Sequence, residues 1–223
     1  WMRPLESKRR LKVTGLGVAG IALLLVLLPL GHYGRALQRF VPLLLMPLAY
    51  WQTGQFTAPI NERFQAILAA MDRRILGALG KTRLASANLR RLDAFFEYAY
   101  LLVYPMVPSG LAVLYFAGAI ERAHEFWTVV LPPAYLCYAT LPFLRTLPPR
   151  SLEEPRVHKV KQARIRGFNL ILVRLVTHNS NTFPSGHAAA AVAVALELMG
   201  VVPLAGAVYL LLAISIMAGA FFR

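Results

Sequence analysis

The chain has 223 residues, of which 57% are apolar and only 15% charged, and its mean hydropathy is +0.54. A soluble domain carries roughly 25% charged residues, so this composition excludes disorder and argues against an ordinary soluble fold. Lysine and arginine outnumber the acids to give a formal charge of +14, which beside apolar segments points to loops at an anionic lipid surface rather than to nucleic acid.

A membrane-crossing helix needs about 20 mostly apolar residues. The first candidate covers residues 13–30 and follows a leader holding Arg3, Lys8, Arg9, Arg10 and Lys12. Leader and run have the shape of a signal peptide, but Gly31-His32-Tyr33-Gly34-Arg35 follows instead of a small-residue cleavage site, so a retained anchor is expected. Residues 40–55 form a second, weaker candidate, short and interrupted by Pro42 and Pro47; it either spans or is re-entrant. Tyr50 and Trp51 near its end suit a membrane interface. In residues 60–79, Ile60, Phe64, Ile67, Leu68, Met71, Ile75 and Leu76 recur at helical spacing, with Arg63, Asp72, Arg73 and Arg74 off the stripe. This predicts an amphipathic helix, lying in the interface or packed on protein, followed by a basic connection over 80–91.

Four more apolar segments follow at 94–117, 126–144, 188–202 and 204–222, with Gly200 and Pro203 marking a turn between the last two. The aromatic-rich stretch 95–116 either lines a lipid slot or is ordinary packing. The expected fold is all-α: a polytopic transmembrane bundle with five or six spans and an interfacial amphipathic helix. It forms one integral membrane domain over residues 1–223, in which 13–93 hold the anchor, the weak second span and the amphipathic segment, and 94–223 form the core. The single cysteine, Cys137, excludes an internal disulfide and reads as a buried thiol. His32, His124, His158, His178 and His187 show no metal-ligand spacing, so no metal and no cofactor are expected. His178, nine residues before His187, could line the same mouth; the other three read as solvated or interfacial.

Residues 145–183 are the longest polar stretch between spans, with Arg145, Arg150, Arg156, Lys159, Lys161, Arg164, Arg166 and Arg174 against Glu153 and Glu154. Within it, Leu147-Pro148-Pro149-Arg150 ends a span in a stiffened turn that would hold a guanidinium at the membrane surface, suited to bidentate phosphate contacts. Then Asn181-Thr182-Phe183-Pro184-Ser185-Gly186-His187 runs straight into an alanine-rich helix. Proline and a small hydroxyl residue suit a helix start, where free N–H groups and the dipole favour an anion. Ser185 adds a hydroxyl donor, Gly186 removes side-chain bulk from the path of a phosphate, and His187 in the first turn has a pKa range suited to proton transfer. The alternative reading is a capping serine beside an incidental interfacial histidine.

Pro184-Ser185-Gly186-His187 resembles the middle motif of the type 2 phosphatidic acid phosphatase superfamily of integral membrane enzymes. The flanking Asn181-Thr182-Phe183 and Ala188-Ala189-Ala190 resemble its bacterial members and its inositol phosphorylceramide synthase-like branch. The family's first motif, K-x6-R-P, is absent. The segment from Pro142 to Arg150 is similar to the variant first motif of the synthase-like branch, which assigns a phosphate-clamping role to Arg150 and, less directly, to Arg145. The third motif, S-R-x5-H-x3-D, would begin where the chain stops. Arg223 matches its arginine, while Phe222 stands where the serine would be. With Trp1-Met2 at the other end, the expectation is a fragment that lacks the nucleophilic histidine and is inactive as it stands.

The resemblance implies a metal-free phosphoryl transfer. A third-motif histidine attacks phosphorus, His187 protonates the leaving alkoxide and then activates water or an acceptor alcohol, and Arg150, Ser185, Gly186 and Arg223 stabilise the phosphoryl oxygens. With water as acceptor the enzyme is a phosphatase acting on a lipid or isoprenoid phosphate. With an alcohol it is a head-group phosphotransferase. A transporter or a scaffold with a degenerate site is the competing class, weakened because Glu97 and Glu197 lie close to span ends. The implied location is the bacterial inner membrane. With six spans, every lysine and arginine except Arg35, Arg39 and Arg122 falls on one side, which the positive-inside bias makes cytoplasmic. The family usually works on the outer side, and the expectation follows the family to a periplasmic site.

Overall fold

A computed structural model describes residues 5–27, 29, 31–56, 59–78, 95, 98–144, 146 and 183–222. The described residues are mostly helical, with no strand among them. Among the described residues the fold is carried by eight α-helices: α1 (Ser7–Leu27), α2 (Gly31–Gln38), α3 (Pro42–Thr53), α4 (Glu62–Ala78), α5 (Val103–Phe116), α6 (Ala123–Thr140), α7 (Gly186–Val201) and α8 (Pro203–Phe222), with a 3₁₀ turn at Ile120–Arg122 between α5 and α6. Among the described residues α1 is the one helix long and apolar enough to cross a membrane. Val103–Phe116, Gly186–Val201 and Pro203–Ala218 are apolar helical stretches of shorter length.

Helix α7 is the centre. Its small side chains let α5, α6 and α8 pack against it directly. Phe126, Val130, Leu111, Leu114, Val194 and Leu198 are each at most 1% exposed and form the main core between α5, α6 and α7. On the other flank Met106, Ala191, Ala213 and Ile216 join α5, α7 and α8. There Tyr209 donates its hydroxyl to Ser109 Oγ at 2.8 Å, giving two polar groups on apolar helices a partner each. The outer face of α8 exposes Leu204, Val208, Leu211, Ile214 and Met217, so this helix is apolar on all sides.

Proline sits inside α3 (Pro47), α5 (Pro108) and α6 (Pro132, Pro133). Each removes a backbone donor, a loss that apolar helices packed on neighbours tolerate better than isolated ones. The expected turn is narrower than its sequence markers. Helix α7 continues through Gly200 to Val201, and Pro203 already opens α8, where its fixed φ suits the first helical position.

The chain direction decides which residues share an end. Helix α3 packs on α6 and on α1. Gln52 Nε2 donates to the Val13 carbonyl at 3.1 Å and Arg9 Nη1 to the Gln55 carbonyl at 3.1 Å, while Gly20 lies beside Leu45. The pair is therefore antiparallel, and the basic start of α1 lies level with the end of α3. At the opposite end Arg39 pairs with Glu121, Arg122 Nε donates to Glu125 at 2.7 Å, and Trp127 Nε1 donates to the Arg39 carbonyl at 2.7 Å.

Candidate active site

The start of α7 is built as its sequence requires. Ser185 is extended (φ −85°, ψ 104°) and caps the helix, its Oγ accepting from the Ala188 N–H at 3.3 Å. The Ser185 carbonyl takes the Ala189 N–H at 3.1 Å. An N-cap serine uses its oxygen as acceptor and keeps its own hydroxyl proton to donate. The N–H groups of Gly186 and His187 fall in the first turn, ahead of the helix's own i→i−4 bonding. The preceding Phe183–Pro184 peptide is cis.

Gly186 is buried, and the reason differs from the sequence expectation. A Cβ there would meet Tyr138 Cε1 at 2.6 Å, so the space a side chain would take is filled by an aromatic ring. Tyr138 in turn packs on Tyr50, with ring centroids 5.3 Å apart, and on Tyr135 at 6.0 Å. The His187 imidazole is flanked edge-on by Tyr104 at 5.6 Å and by Tyr50 at 6.4 Å. Helices α3, α5, α6 and α7 therefore each place one aromatic ring at the same level of the bundle.

Below this layer lies a cavity of about 300 Å³. Its upper wall holds Tyr50, Tyr104, Tyr138 and His187, and its lower wall Leu43, Met46, Val107, Pro108, Ala190 and Ala191. It is mostly apolar with a few polar groups gathered at one end, the pattern of a small-molecule site. Phe64 of α4 contacts Phe183 with centroids 5.8 Å apart, tying the amphipathic helix to the segment that leads into the cap.

Of the residues singled out from sequence, Gly186 and His187 line this cavity and Ser185 caps the helix directly ahead of them. Arg150 and Arg223, with Arg145, His158 and His178, lie outside the described residues. His124 is remote, at the opposite end, its Nδ1 3.0 Å from the Glu121 carbonyl oxygen. Glu197 is also at that end of α7, and one of its carboxylate oxygens is buried with no hydrogen-bond partner among the described residues. Among the described residues no three histidine, cysteine or acidic side chains converge as a metal site. Sequence reasoning missed Tyr50 and Tyr138 as site residues and reached Tyr104 only within the aromatic stretch 95–116, read as a lipid slot or as ordinary packing. The available signal was the spacing of Leu43, Pro47, Tyr50 and Trp51 on one helix face, which competed with the interfacial reading of the two aromatics.

No curated protein and no solved structure matches the chain. A family model described as the PAP2 superfamily matches residues 66–220. The matched stretch takes in α5 to α8 and the capped start of α7, and it leaves α1 to α3 outside. Phosphatase-type phosphoryl transfer is the activity such membership suggests. A match over more than half of the residues, centred on the helices that build the cavity, means that the chain belongs to the PAP2 superfamily.

Proposed function

We propose that this protein transfers a phosphoryl group from a lipid or isoprenoid phosphate, with the start of α7 as phosphate cradle and His187 as the proton-transfer group. One observation carries the reading. The capped helix start, with a spare hydroxyl proton and first-turn N–H groups, opens beside a histidine on an apolar cavity. Phosphate oxygens would take these donors, while His187 would protonate the departing alkoxide and then activate the acceptor. Arg150 and Arg223 are proposed as the guanidinium partners of the phosphoryl oxygens, on the family resemblance. The covalent step is proposed to run through a phosphohistidine on a histidine of the third motif, which does not occur among residues 188–223. Water as acceptor makes the enzyme a phosphatase.

Reconstituted in lipid nanodiscs, the full-length protein is expected to release inorganic phosphate from a lipid phosphate without added metal. An enzyme of the phosphotransferase kind would release little until an alcohol acceptor such as inositol is supplied, and would then form the new diester. Absence of both products from folded full-length protein would overturn the catalytic reading and leave a phosphate-binding or structural membrane role.

The membrane setting is part of the same proposal. Five or six spans are proposed from the apolar runs of the sequence, and the apolar outer face of α8 supports them. The side follows from chain direction. Arg9, Gln55, Tyr50 and His187 share one end, so the basic leader and the cradle face the same compartment, and the positive-inside bias makes it the cytoplasm. This departs from the periplasmic side that the family resemblance suggests. In a Cys137→Ser background, single cysteines at Lys8 and Phe183 are expected to react with a membrane-impermeant maleimide only in opened cells, and one at His124 in intact cells. The reverse pattern would return the cradle to the outer face.

A further inference from the structure

The cavity has a definite capacity as well as a chemistry. A water takes about 30 Å³ and a methylene about as much, so 300 Å³ holds about ten carbons of one chain. From Tyr50 to Leu43 the α3 wall descends about 10 Å at 1.5 Å per residue. The polar groups sit at the top of this wall and none of its lower residues can hydrogen-bond through a side chain. Beyond Pro108 the α5 wall runs into packed helix: at Gly110, two residues on, a Cβ would meet Val194 Cγ1 at 2.6 Å and the Phe126 ring at 3.2 Å. Width is limited too, because the slot lies between single faces of α3, α5 and α7, and room at α7 exists only because positions 190 and 191 are alanine. Leu43, Met46, Pro47 and Tyr50 fall outside the residues matched by the family model.

We propose that the cavity beneath His187 takes one hydrocarbon chain to a depth of about ten carbons, so that a second chain on the same phosphate adds nothing, with Leu43 as the residue that sets the depth. The inference rests on the proposed phosphate cradle for the head and on the cavity alone for the tail. Two sources supply such a ligand, a straight-chain monophosphate and a prenyl monophosphate. A two-chain phosphatidate would seat one tail and leave the other in the bilayer without gain.

The test is competition against a decyl monophosphate carrying a terminal diazirine, photolabelling the full-length protein in nanodiscs. The competitors are n-alkyl monophosphates of four to sixteen carbons, geranyl monophosphate, phosphatidate and the matching alkanols, each corrected for partitioning into empty nanodiscs. Apparent affinity is expected to rise about fourfold per methylene up to about ten carbons and then stay level. Label should fall on Met46, Val107 or Ala190, and phosphatidate should compete no better than one of its chains alone. Geranyl monophosphate matching the decyl compound would point to a prenyl source, and failing to compete, to a straight chain. Leu43→Trp should move the break to shorter chains by about three carbons, and Leu43→Ala to longer ones. A rise that continues to sixteen carbons, a second increment for two-chain lipid, or a break unmoved in both variants would overturn the proposal. Alkanols competing as well as phosphates would keep the chain slot and overturn the phosphate reading instead.

Discussion

Replacing His187 by alanine is expected to lower phosphate release by 10²- to 10⁴-fold, the usual contribution of a positioned acid–base group. Binding of the decyl phosphate should change by no more than a few-fold. The separation follows from how α7 begins. The cap is made by Ser185 Oγ and by main-chain groups, so the cradle survives loss of the imidazole, and alanine is the best helix former. What disappears is the group held between the Tyr104 and Tyr50 rings at 5.6 and 6.4 Å. His187→Gln keeps a polar side chain of similar reach but cannot transfer a proton near neutral pH, so it should fall as far as alanine. A glutamine variant within threefold of wild type, with an unchanged melting temperature, would remove the acid–base role and leave His187 a phosphate ligand only.

The helices were legible because apolar runs and polar breaks are local. The stretches expected at 126–144, 188–202 and 204–222 appear as α6, α7 and α8 with ends shifted by a few residues. The amphipathic segment expected at 60–79 is α4. The first apolar helix begins earlier than its hydropathy suggests, at Ser7, because lysine and arginine are good helix formers and the basic leader extends the helix outward. Helix α2 was not anticipated. Two glycines within Gly31-His32-Tyr33-Gly34 read as a connection, yet Gly31 with φ +53° only opens the helix.

The site was legible along the chain and not across it. Ser185 as a cap can be read from Pro184-Ser185-Gly186 alone, because a cap is satisfied within three residues. The pairing of Tyr50 with His187 joins residues 137 positions apart, and no local pattern encodes it. The role of Gly186 was likewise hidden: its small size is needed by Tyr138, a residue of another helix. Packing geometry also fixes the chain direction that puts Arg9 and His187 at one end, which hydropathy alone does not give.

A second large effect is expected at Gly206, and a glycine six residues away gives its control. A Cβ on Gly206 would run into the Met199 backbone nitrogen and Cα. Main chain cannot rotate aside as a side chain can, so Gly206→Val must push α8 away from α7, the most extensively packed helix pair among the described residues. Overpacking of this kind costs about 3 kcal/mol, or roughly 6–12 °C in melting temperature for a chain of this size. Phosphate release should fall with it, because α7 carries the cradle at its other end. Gly200 is helical, exposed, and has nothing within 4 Å of an added Cβ. Gly200→Ala should therefore stabilise by about 0.5–1 kcal/mol through helix propensity and leave phosphate release unchanged. Melting curves of both variants in nanodiscs read the difference directly. Equal melting temperatures would mean that α7 and α8 do not approach at Gly206, and the close hairpin that fixes the site's central helix would have to be abandoned.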